Sequence, residues 1–77
     1  MNVLLSLTQL KEGQIGKVET LYTTGSMRRR LQDLGIVEGT TIECLQKSPS
    51  GDPVAYKIRG TVIALRSEDA NKIIITH

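Results

Sequence analysis

Within residues 54–59, the apolar side chains of Val54, Tyr56 and Ile58 alternate with Ala55, Lys57 and Arg59. Successive residues of a strand face opposite sides of a sheet, so this run predicts a strand with one face buried and one wet. Gly60 follows at once and allows a sharp bend into a second β-branched run, Thr61-Val62-Ile63-Ala64-Leu65-Arg66. Two strands joined by a tight bend cannot bury an apolar face alone. The rest of the chain must supply more sheet and a cover for it.

It supplies both. Leu5, Leu7 and Leu10 form a lead-in that tucks apolar side chains under the first strand. Residues 14–22 read as that strand, with Val18, Thr20 and Tyr22 alternating with Glu19 and Leu21. Gly16 interrupts the alternation, as a bulge or a close backbone approach would. Thr23-Thr24-Gly25-Ser26 breaks the strand and caps a helix. Met27, Leu31 and Leu34 then fall at i, i+4 and i+7, one apolar stripe. Gly35 sits where a left-handed residue ends a helix. A helix of about three turns is therefore expected from near Ser26 to Leu34. Ile36-Val37-Glu38-Gly39 turns the chain into a strand over 40–46, and Ser48-Pro49-Ser50-Gly51-Asp52-Pro53 is a loop. Ser67 is expected to cap one helical turn, Ser67-Glu68-Asp69-Ala70, before a closing strand over 72–76. Gly35, Gly39 and Gly60 are the expected structural turn residues.

The chain has 77 residues, no Trp and no Phe, and Tyr22 and Tyr56 are its aromatics. That length fits one domain spanning residues 1–77. The Leu, Ile and Val content suits strands better than a helical bundle. The expectation is a mainly β fold: a small, partly open SH3-like barrel of about five strands, with one short helix and a helical turn.

The residues offer little chemistry. Cys44 is the one cysteine, so no internal disulfide forms, and a reducing, cytoplasmic setting follows. Cys44 runs in phase with Ile42 and reads as a small core side chain. His77 ends the sequence and is expected to be mobile. These two are far apart, so no residue-level metal site emerges. Glu68 and Asp69 could hold a divalent ion with water, but charge favourable to a helix start explains them more simply. No nucleophile has an adjacent base, and no GxSxG, P-loop or GxGxxG is present, so no enzyme activity is expected. No apolar stretch approaches the roughly 20 residues of a membrane helix, and residues 1–7 lack the basic flank of a signal peptide. No direct membrane insertion is expected.

The formal net charge of +2 does not by itself imply nucleic acid. One run stands out: Arg28-Arg29-Arg30, in the first turn of the expected helix, where positive charge opposes the helix dipole. With about 100° between successive helix residues, Arg28 and Arg30 flank the apolar stripe and Arg29 points away. Two readings stay open: a solvated face, or a surface that docks an acidic protein or an anion. No aromatics interleave with the arginines, which argues against single-stranded nucleic acid.

The run Arg30-Leu31-Gln32-Asp33-Leu34-Gly35-Ile36-Val37-Glu38-Gly39-Thr40-Thr41-Ile42-Glu43 resembles the FeoA family. So does Asp52-Pro53-Val54-Ala55-Tyr56-Lys57-Ile58-Arg59-Gly60-Thr61-Val62-Ile63-Ala64-Leu65-Arg66. Family members show a helix ending Arg-Leu-x-x-Leu-Gly, an Arg-Gly pair and an Ala-Leu-Arg strand, and the match runs from about Leu5 to Ile75. Glu12 and Glu38 stand where the family commonly has Pro, both at turns, where Pro mainly restricts the unfolded chain. The resemblance implies an SH3-like domain and a cytosolic accessory to bacterial ferrous iron transport. Its implied partner is a membrane iron transporter with a cytoplasmic G-protein domain, engaged in an unspecified oligomeric state. It also implies transition metal ion binding, without residues to assign. The alternatives are a metal-responsive regulatory module and a small barrel that binds nucleic acid.

Overall fold

A computed structural model describes residues 3–77 of the chain. Its strands are β1 Leu4–Ser6, β2 Ile15–Leu21, β3 Thr41–Lys47, β4 Val54–Ile58, β5 Thr61–Leu65 and β6 Ile73–Thr76. The helices are α1 Gly25–Asp33 and α2 Ser67–Ala70, with a 3-10 turn at Leu7–Gln9. All ladders are antiparallel, in the order β1-β6-β2-β3-β4-β5. The fold is the expected small β type, with one strand more than about five. The lead-in continues past its leucines into β1, which pairs Leu5 with Ile75. No ladder joins β1 to β5 among the described residues, so the sheet curls without closing.

The core lies on the concave face. Val18, Ile42, Cys44, Tyr56, Ile58, Ile73 and Ile75 point into it from the strands, as the period of two requires. Leu7 from the 3-10 turn, Leu10 directly after it, Leu31 from α1 and Ile36 from the helix exit complete it, each fully buried. Gly16 marks a close approach: a Cβ there would lie 2.6 Å from Ile75 Cδ1 and 3.1 Å from the Thr76 carbonyl oxygen. The irregular register sits further along, between Val18 and Thr20.

The helix exit shows why Leu34-Gly35-Ile36 recurs as a unit. Gly35 has φ +98°, and its N–H donates to the Gln32 carbonyl at 3.0 Å. The Ile36 N–H donates to Leu31 at 2.9 Å. That pair of bonds is a Schellman ending, and its apolar clasp is the buried Leu31–Ile36 pair. Gly39 takes φ +89° in the turn into β3, and Gly60 takes φ +80° in the turn between β4 and β5.

Three local expectations are corrected. The first concerns the start of α1: its N-cap residue is Thr24, not Ser26, and no side chain bonds the helix start. The half-buried Arg28 guanidinium instead donates 3.0 Å to the Leu21 carbonyl, tying α1 to the end of β2. The second concerns α2. Ser67 is its first residue, and Arg66 holds the N-cap position without a side-chain bond. The Ser67 N–H donates to Asp52 Oδ1 at 2.8 Å, so the cap comes from the β3–β4 loop. The third concerns His77, which is tied down. It exchanges backbone bonds of 3.2 and 3.0 Å with Val3, and its Nδ1 lies 3.0 Å from the Ile15 carbonyl. Among the described residues, no helix is long and apolar enough to cross a membrane.

Candidate functional site

The β4–β5 hairpin turns on two residues, Arg59 and Gly60, at φ +52° and +80°, with Ile58 facing Thr61 across it. Two left-handed residues in succession give the turn whose twist suits a hairpin. The Arg59 stem crosses the helix exit: its Cδ lies 3.5 Å from where a Gly35 side chain would begin. The hairpin thereby holds β5 beside α1, and β5 is an edge strand, paired with β4 alone.

Arg30, Arg59 and Arg66 lie around this edge. Arg28, Arg29 and Arg30 are on α1, Arg59 is in the turn before β5 and Arg66 follows β5. The three consecutive arginines do not share one role in the structure. Arg28 is spent on the Leu21 carbonyl. Arg29 is exposed. Arg30 lines a hollow of about 180 Å³ between α1 and the end of β5, with Met27, Leu31, Leu65, Arg66 and Asp69 also on its walls. A second hollow of about 190 Å³ lies on the convex side, lined by Gln46, Lys47, Ser48 and Ala55. Pro53 and Ala64 border both. Arg66 and the hollows escape a sequence reading because their walls come from α1, the β3–β4 loop, β5 and α2. The one available signal was the Ala-Leu-Arg run at the end of β5.

The titratable core groups are insulated from this surface. Burial pushes the Cys44 thiol up from its ordinary value, against the opposing charge of Lys47, with Glu12 adding to the rise. Burial likewise pushes the Tyr56 phenol up to about 12, with smaller contributions from Cys44 and Asp52. A thiol held protonated is a poor nucleophile and a poor metal ligand. His77 turns its ring toward the Ile15 carbonyl at the opposite edge. No group of three or more His, Cys, Asp or Glu side chains could hold a metal ion among the described residues. The donor set present does not fit a defined transition-metal site.

The FeoA domain model matches residues 5–77. The chain belongs to the FeoA domain family. It is 36% identical over 69 residues to a Fe(2+) transport protein A/Fe(2+) transporter FeoB fusion protein of Porphyromonas gingivalis. That match covers 90% of this chain and 8% of the curated relative, so the chain spans only a small part of that relative's length. Among solved structures, the FeoA protein of Chlorobium tepidum is 32% identical with a TM-score of 0.87, over 92% of this chain and 68% of that one. The zinc-complexed FeoA of Stenotrophomonas maltophilia is 27% identical, with a TM-score of 0.82 over 92% of this chain and 88% of that one. That protein is described as a prokaryotic SH3-domain protein, which agrees with the SH3-like FeoA fold seen here.

Proposed function

We propose that this FeoA domain is an accessory of ferrous iron transport that binds the cytoplasmic G-protein region of a membrane iron transporter. The observation that carries the reading is the P. gingivalis relative, whose name joins transport protein A and the transporter FeoB in one fusion protein. Joining two modules in one polypeptide holds each near the other at an effective concentration of order millimolar. Such a fusion suits modules that act together. The arginine-rich edge around β5 supports the same reading, because it offers a partner complementary charge that steers encounter.

The test has two parts. Purified protein is passed over the immobilised cytoplasmic region of the transporter, and ferrous iron uptake is measured in cells with and without the gene. Retention together with reduced uptake in the deletion strain is the expected result. No retention and unchanged uptake would remove the proposal.

A further inference from the structure

The inference concerns where that partner sits, and it rests on the function just proposed. In a two-residue hairpin the residues flanking the turn form a hydrogen-bonded pair, and such pairs alternate along the ladder. Ile58 and Thr61 flank this turn, and Tyr56–Ile63 is the next pair of the same kind. The backbone N–H and C=O groups of Val62 and Ala64 therefore point away from β4, along the open edge. Val62 is 61% exposed and Ala64 is exposed as well. A row of unpaired backbone groups is a template for another strand unless something covers it.

The surroundings of Ala64 fit an added strand. One hollow lies on the concave side of Ala64 and the other on the convex side. The side chains of an added strand alternate between these two sides, so successive residues would enter the two hollows in turn. The rims carry Arg30 and Arg66 on one side and Lys47 on the other, against Asp69 alone. We propose that β5 accepts an extended, carboxylate-bearing segment of the transporter's cytoplasmic region as an added antiparallel or parallel strand, its acidic side chains meeting Arg30, Arg66 and Lys47. A second copy of this chain is a poorer occupant. It would bring the same basic rim of Arg30, Arg66 and Lys47 up to its own counterpart, and like charges brought together disfavour pairing. The opposite edge competes weakly, because β1 has three residues.

The experiment measures affinity for the transporter's cytoplasmic region with wild type and three variants. Ala64→Pro removes the outward N–H at a position where an edge strand tolerates proline. Arg30→Glu/Arg66→Glu reverses the rim, and Lys11→Glu/Lys17→Glu is a charge-matched control away from the edge. Circular dichroism confirms that each variant is folded. We expect at least about tenfold weaker binding for the first two and no more than about twofold change for the control. In the wild-type complex, the Val62 and Ala64 amides are expected to gain protection from hydrogen exchange. Wild-type binding that both folded variants retain, or protection appearing on β1 and not on β5, overturns the docking surface and leaves the proposed function standing. A wild-type dimer that Ala64→Pro dissolves overturns the choice of occupant. Absence of wild-type binding removes the proposed function and this inference together.

Discussion

The two flanks of the sheet are built to opposite rules. On the β1–β6–β2 flank, Gly16 leaves no room for a Cβ under Ile75, and Leu7 and Leu10 seal the concave face from below. Its outer strand is three residues long, and the flank carries charges of both signs, Lys17 and Glu19 within β2 among them. On the β4–β5 flank the outer strand has five residues, hollows lie on both of its sides, and Arg30, Arg59 and Arg66 lie around it. Close packing leaves nothing for a partner to hold. An unfilled edge costs the fold little and leaves backbone groups for another chain. The contrast teaches that close packing and an open backbone edge have been assigned to different sides of one small sheet.

The comparison can be broken by mutation, and the largest effect belongs to the closed flank. Ile75→Ala removes a fully buried side chain that packs over Gly16 and is expected to cost about 2–5 kcal/mol in urea unfolding. A loss near zero would mean that this flank is not the rigid one. The next effect is alkaline. The folded state raises the Tyr56 phenol to about 12 from its ordinary value of 10.0, so the unfolded chain ionises first. Stability is full below pH 10 and falls as pH rises toward 12, by roughly 2–3 kcal/mol for a shift of that size. The raised Cys44 thiol acts in the same direction above its ordinary value of 9.0. Chemical unfolding at stepped pH checks this, and Tyr56→Phe should flatten most of the loss. Because Tyr56 belongs to β4, a steep alkaline loss would show that the open flank is open only at its edge.

Gly16→Ala comes third. The added methyl meets a flexible side-chain end at Ile75 but also the Thr76 backbone oxygen, so a cost of about 1–3 kcal/mol in the same assay is expected. Asp52→Ala removes the cap on Ser67 and should cost about 1 kcal/mol, seen as a lower Tm. Val62→Lys, on the exposed edge, should change stability by no more than about 0.5 kcal/mol. A large loss there would mean that β5 is structural after all, and the contrast between flanks would fail.

Much of this fold was legible in the order of residues. The alternation of Val54, Tyr56 and Ile58 is an inner-face pattern, and all three are buried. Leu31, Gly35 and Ile36 signal a helix exit because the left-handed residue and the apolar clasp are local, within five positions of one another. What escaped was long-range. Asp52 caps a helix 15 positions away, and Glu12 Oε2 accepts the Lys47 N–H from 35 away. Neither contact leaves a periodic trace. β1 was hidden by its shortness, since three residues cannot show a period of two. The arginine run misleads for a related reason: adjacency in sequence on a helix means divergence in space, so Arg28 joins β2 while Arg30 joins Arg66, a residue that only the folded hairpin brings near.

The backbone bonds between Val3 and His77 carry a consequence of their own. They set the two ends of the described chain side by side, at the opposite end of the strand order from β5. A tether attached at either end leaves from the same place, beside β1 and not beside β5. The domain can thus be leashed from either end at one point, or cut open elsewhere and rejoined through its ends.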